Sequence, residues 1–230
     1  DANAYSSQKN VYTTILGDLD AATAVIGPTV AADPSATVAS EYDQVYQGKL
    51  SAWLKYANSL KLRMAIRMRF VEPEQARKIG EQAVKDGVMT SNSDNLTIAY
   101  TPNGLYKTSV EWGDTRACAD IETYMNGYHD PRVEKYFSTP ATQGDRKIIG
   151  LRAGANVGNK ATADAIYSAA NVKQSDRGIW MTAAEVTFCR AEGALAGWSG
   201  MGGTAGELYN EAVTLSFEQW GAAGASDYLD

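Results

Sequence analysis

The sequence holds one histidine and two cysteines in 230 residues. A catalytic triad or a His-rich metal site needs a second histidine or a well-placed thiol, so both are excluded within this chain. His129, in Tyr128-His129-Asp130-Pro131-Arg132, reads as a turn residue rather than a general base. Cys118 and Cys189 fit no metal spacing and are too few to build a disulfide scaffold. They read as two small buried hydrophobes, with their pairing left open. Gly197 to Gly206 lacks the Lys-Ser/Thr of a phosphate loop and follows no strand. No apolar run approaches the ~20 residues that span a bilayer, and no signal peptide stands at the front. The chain starts inside a polar phrase without an initiator Met and stops at Ser226-Asp-Tyr-Leu-Asp230. It reads as a piece of a longer protein, so missing targeting signals carry little weight. Cations are outnumbered as well: a net charge of −6 argues against nucleic acid or an anionic membrane surface as partner.

What is present is an ordinary globular balance, 44% hydrophobic and 21% charged. Residues 1–90 read as helical. Ser7 caps a stripe at Val11, Ile15, Leu19, Ala22 and Ile26, stopped by Gly27-Pro28. A second helix, about Lys49 to Phe70, carries Trp53, Ala57, Leu60, Met64 and Met68, widened by Leu50 and Leu54. So wide a face predicts burial between two neighbours. Glu72-Pro73-Glu74 opens a third helix that Gly87 closes. Residues 177–230 are helical again, with stripes at Met181, Ala184, Phe188, Ala191 and Leu195 and at Leu208, Ala212 and Leu215, separated by the Gly200–Gly203 turn. Paired antiparallel helices are the unit of helical repeats. Between these parts, 91–176 loses periodicity, apart from a short helix expected near Ala117 to Asn126. A stretch this long with its own aromatic residues is functional rather than disordered.

Two side-chain groups remain. Glu185 and Glu192 share one helix face with Cys189 between them. They read either as an acid/base or cation-binding pair or as salt-bridge partners of Arg177, Arg190 or the Arg63–Arg69 cluster, and the salt bridges are the preferred reading. The second group is aromatic: 13 Tyr and 5 Trp against 4 Phe, with Tyr100, Tyr106, Trp112, Tyr124, Tyr128 and Tyr136 in the irregular middle. Flat rings with a polar edge suit pyranose faces; the competing reading is that they close over the helical scaffold.

Several phrases resemble the SusD/RagB family. Tyr42-Asp-Gln-Val-Tyr-Gln-Gly-Lys49 leads into Trp53 and then Asn58-Ser-Leu-Lys-Leu-Arg63, the family's loop and helix core. Ile15-Leu-Gly-Asp-Leu-Asp-Ala-Ala22 is similar to the preceding helix of that family. Asp130-Pro-Arg132 is similar to its Asn-Asp-Pro-Arg turn, with His129 in place of the usual Asn. Met181-Thr-Ala-Ala-Glu-Val-Thr-Phe-Cys-Arg-Ala-Glu192, then Gly197-Trp198 and Ser216-Phe217-Glu218, resemble its late helices. The resemblance runs through nearly the whole chain in the family's order. It implies a mainly all-α, tetratricopeptide-like α/α superhelical scaffold with a loop-rich insertion. It also implies a lipid-anchored, surface-exposed outer-membrane protein that covers a SusC-like TonB-dependent transporter, with the anchoring cysteine outside this sequence.

The expectation is one domain in three parts: a helical scaffold at 1–90, a loop-rich ligand-binding insertion at 91–176, and a helical pair at 177–230. The function expected is non-enzymatic capture of an oligosaccharide for the transporter, without cofactor or metal. The alternative is an interaction scaffold or a peptide-binding relative without glycan affinity. A glycoside hydrolase would require two supported carboxyls, and Glu111 and Asp114 are the only pair to suggest it. The candidate ligand residues are Tyr106, Trp112 and Arg116. Trp112 lies in Ser109-Val-Glu-Trp-Gly-Asp-Thr-Arg116, outside every helical stripe, beside polar groups that suit sugar hydroxyls. Anchoring of the loop to the scaffold is the other role open to it.

Overall fold

The computed structural model describes residues 4–138 and 146–230. Along the chain run α1 (Gln8–Ala32), α2 (Leu50–Met68), α3 (Pro73–Asp86), β1 (Leu96–Ile98), α4 (Gly104–Tyr106), α5 (Ala119–Gly127), α6 (Val133–Tyr136), α7 (Lys160–Ile166), β2 (Gly178–Met181), α8 (Ala183–Leu195), α9 (Ala205–Trp220) and α10 (Ala225–Leu229). Among the described residues two short strands pair, and the other regular elements are helical. The fold class is the mainly helical one expected. The chain divides into two compact units, Asp1–Thr97 with Ile179–Leu215, and Ile98–Gly178 with Ser216–Asp230.

In the first unit α2 is the central element, packed against α1, α3 and α8. The reason lies in Asn58-Ser-Leu-Lys-Leu-Arg63. Asn58 Nδ2 donates to the carbonyls of Asp86 (3.2 Å) and Gly87 (3.0 Å), closing the end of α3. Ser59 Oγ accepts the Met89 N–H at 2.9 Å. Lys61 Nζ reaches Asp20 (2.6 Å) and Thr23 (2.8 Å) on α1. Arg63 holds Glu185 on α8 through a hydrogen bond from Nη2 to Oε2 at 2.8 Å, while Leu62, between Lys61 and Arg63 in sequence, is wholly buried. Polar groups on a buried face must be paired, so each of these residues fixes a different neighbour. Arg69 likewise pairs with Glu192. Glu185 and Glu192 are therefore scaffold salt-bridge partners, as preferred. Burial pushes the thiol of Cys189, between them, up to about 11, and the Glu185 charge adds to this. Both cysteines are free.

Four local expectations need correction. α1 does not stop at Gly27-Pro28 but runs one further turn, to the Asp33 N–H bond with the Thr29 carbonyl. The proline removes one donor, and the carbonyl it frees belongs to Ala24, an exposed residue open to solvent. Leu16, rather than Val11 and Ile15, is the buried contact of α1, whose one substantial packing partner is α2. On α8 the stripe drifts: Ala184 and Ala191 are buried, but Phe188 lies at the boundary and Leu195 is 80% exposed. Phe188 instead meets Tyr209 of α9 edge-on at 5.5 Å. Cys118 is exposed rather than buried; it caps the start of α5 from an extended residue bridged to Leu151 instead of lying on a helix face. α1 also has the length and mean hydropathy (1.3 over its most apolar window) of a bilayer span. Asp18 and Asp20 interrupt it, and Asp20 is engaged by Lys61.

The second unit has its own small core of Ala117, Met125, Val133 and Ile148, with Ile121, Tyr136 and Phe137 against it. Asp130-Pro-Arg132 forms a tight clasp there. Arg132 Nε and Nη2 bind both Asp130 oxygens at 2.9 and 2.5 Å. The guanidinium lies over the rings of Phe217 (4.7 Å) and Tyr228 (5.3 Å), and Nη1 donates to Ser216 Oγ at 2.8 Å. His129 precedes the clasp at φ 49°, in the left-handed region that Asn tolerates well. It is a turn residue.

Candidate ligand-binding site

The second unit carries a cleft of about 440 Å³, within the range of small-ligand sites. Its first wall grows from α4. Buried Asn103 caps that helix through Oδ1, accepting from Leu105 (2.8 Å) and Tyr106 (3.2 Å), while its Nδ2 donates to the Asp176 carbonyl. The sequence suggested irregular chain here, but the helix continues as a π-turn over Lys107–Glu111. The Trp112 N–H reaches five residues back to the Lys107 carbonyl at 2.8 Å. One extra residue in the turn re-aims the chain beyond it, and Trp112 emerges 48% exposed. The Asp114 and Thr115 amides then return to the Thr108 carbonyl, so Glu111 to Thr115 form a tight rim.

The floor is Ser109, whose buried hydroxyl accepts the Ala170 N–H at 2.9 Å. That bond brings 169–172, the second wall, against the π-turn. Ser138 braces this wall by exchanging hydrogen bonds with Ala169. The third side is α7, started by Asn159, whose side chain accepts the Thr162 N–H. It delivers Lys160 and Asp164 to the cleft. Arg116 is fastened by Asp164, by the Thr115 carbonyl at 2.7 Å and by the Ser109 carbonyl at 3.4 Å. Lys160 Nζ donates to the Trp112 carbonyl and stands 4.0 Å from Asp114. Lys107 Nζ lies over the Trp112 ring at 5.6 Å.

Of the three candidate residues, Trp112 and Arg116 both line this cleft, with Glu111 beside Trp112. Tyr106 does not line it and is half-buried at the end of α4. Sequence reasoning missed Lys160 and Asp164. The signal was there, a capping Asn159 followed by Lys-Ala-Thr-Ala-Asp-Ala-Ile, a short helix beginning. No group of three His, Cys, Asp or Glu able to hold a metal occurs among the described residues.

Scaffold and cleft together define a helical-repeat protein carrying its pocket on an irregular segment. The chain belongs to the SusD-like family, because the model of the Susd and RagB outer membrane lipoproteins matches residues 1–230. That family consists of nutrient-binding proteins rather than enzymes. Among solved structures, a susD homolog from Bacteroides thetaiotaomicron is 39% identical with a TM-score of 0.89, the match covering 98% of this chain and 48% of that one. A chitin-binding SusD homolog from Flavobacterium johnsoniae is equally similar, at 39% identity and TM-score 0.89, covering 98% and 47%. A homolog from Bacteroides ovatus stands at 37% and 0.87, covering 97% and 47%. The chain thus spans about half the length of the solved relatives it matches. No curated protein matches the sequence.

Proposed function

We propose that this protein captures an oligosaccharide at the outer-membrane surface, without chemistry, and passes it to a SusC-like TonB-dependent transporter, held there by a lipid anchor. The supporting observation is Trp112. Its amphipathic ring is left half in solvent at the mouth of a braced cleft, where it offers a flat apolar face with a polar edge. The cleft's rim offers the Glu111 carboxylate, the Asn171 amide and backbone groups for hydroxyl hydrogen bonds. A sugar ring stacked on the indole buries apolar area worth roughly 25 cal/mol per Å², before ordering costs. The resulting affinity is modest, which suits cargo that must be released. A similar protein described as chitin-binding supports the class of ligand, and the family's outer-membrane description supports the place. Within this reading the interval 91–176 is the ligand-bearing insertion of one SusD-like domain, flanked by scaffold at 1–90 and 177–230.

The test is a glycan array followed by titration calorimetry of each hit against wild type and Trp112→Ala, with a turnover assay alongside. Binding lost in the variant at an unchanged melting temperature supports the site. Retained binding with a lowered melting temperature returns Trp112 to the role of loop anchor. Capture of a partner protein without any glycan binding favours an interaction scaffold.

A further inference from the structure

We infer that the cleft is built for uncharged sugar units, plain or N-acetylated, and selects against uronates and sulfated sugars; this rests on the glycan reading above. The inference comes from how the cleft's charges are spent. Its lining holds two cations, Arg116 and Lys160, and two acids, Asp164 and Glu111. The Arg116 side chain is only 7% exposed. Its Nη2 is already matched by the Asp164 carboxylate and its Nη1 by the Thr115 and Ser109 carbonyls. Lys160 is turned onto the Trp112 carbonyl with Asp114 behind it. Lys107, outside the lining, sits over the Trp112 ring. Among the described residues, each of these cations therefore already has a partner, and the one unbonded donor, Arg116 Nε, is buried out of a ligand's reach.

The acids differ. Glu111 has no ion pair among the described residues and stands exposed on the rim beside Trp112. A carboxylate so placed accepts hydrogen bonds from hydroxyls or an acetamido N–H, and it repels an anion. An anionic sugar would have to break the Arg116–Asp164 pair, or draw the half-exposed Lys160 away from the Trp112 carbonyl and Asp114 while standing beside the Glu111 charge, so its desolvation is poorly compensated. Discrimination here works through what the cleft withholds from the wrong ligand.

Titration of the full chain with neutral tetrasaccharides (cello-, malto-, xylo- and N-acetylchitotetraose) and anionic ones (tetragalacturonate, a sulfated galactan tetramer), at low and high salt, tests this. The expected result is that at least one neutral tetrasaccharide binds with little dependence on salt. The anionic ones bind roughly tenfold more weakly or worse. Glu111→Gln narrows that gap. Anionic tetrasaccharides binding as tightly as neutral ones, or a Glu111→Gln variant with an unchanged gap, overturns the inference while the glycan reading stands. Failure of both classes to bind overturns the glycan reading itself.

Discussion

Asp43 accepts four hydrogen bonds, from the amides of Val45 (2.9 Å), Tyr46 (3.2 Å) and Gly48 (2.8 Å) and from Trp53 Nε1 (2.7 Å). One carboxylate therefore folds the Tyr42–Lys49 loop and ties it to α2. Gly48 completes it at φ 77°, where a Cβ would meet the Val38 carbonyl oxygen at 2.3 Å. Asp94 plays a related part, accepting from Lys55 Nζ at 2.7 Å and from the Thr90 and Ser91 amides. Burial alone would raise the pKa of Asp94, but the Lys55 bond and the two amides outweigh it and hold the carboxyl below its ordinary value. Because the folded value lies below the unfolded one, the stabilisation is complete above the unfolded pKa of about 3.9 and is lost as the pH falls through the folded value. Melting temperature between about pH 6 and pH 3 should fall less steeply in Asp94→Asn than in wild type; parallel slopes would contradict this. At the clasp, Asp130→Ala strands the Arg132 guanidinium in a half-apolar nest. It should cost about 3 kcal/mol in chemical denaturation, and a loss under about 1 kcal/mol would show the clasp to be ornamental.

At the scale of elements, α2 is legible in the sequence for a simple reason. Its helical period is sustained over nineteen residues, and its polar interruptions, Asn58, Lys61 and Arg63, recur in a family phrase. The structure explains why those residues are polar: each fastens α2 to a different neighbour. The helices packed on fewer sides are less legible. Period alone assigns the apolar positions of α1 and α8 in the sequence, whereas burial depends on the neighbours present. The cleft is half legible. Trp112 and Arg116 stand out by type, but the π-turn has no periodic signature, and Lys160 lies forty-eight residues from Trp112 and reaches it only through tertiary packing. A contact between α3 and the turn after α8 is not legible at all. Trp198 lies on Gly80 so closely that a Cβ there would stand 2.2 Å from its ring. Gly80→Ala gains about 1 kcal/mol of helix propensity, yet overpacking costs about 1–3 kcal/mol. The variant should melt lower than wild type, and a higher melting temperature would mean the ring has room to move.

At the scale of the whole molecule, the family phrases and the cleft have separate tasks. Asn58-Ser-Leu-Lys-Leu-Arg63, the Asp43 loop and the Asp130-Pro-Arg132 clasp all hold chain to chain, and none of their residues lines the cleft. The resemblance therefore identifies the scaffold from residues that build it, while the ligand has to be argued from residues outside those phrases. Membership of the family and the helical fold are thus secure from sequence and structure together, and the cargo depends on Trp112 and its surroundings. The most direct measurement is calorimetric titration of a neutral oligosaccharide found by glycan array into wild type and Trp112→Ala, with melting temperatures recorded for both. The account predicts saturable binding to wild type, at least tenfold weaker binding to the variant (about 1.4 kcal/mol) and coincident melting temperatures. Equal affinities for the two proteins would contradict it.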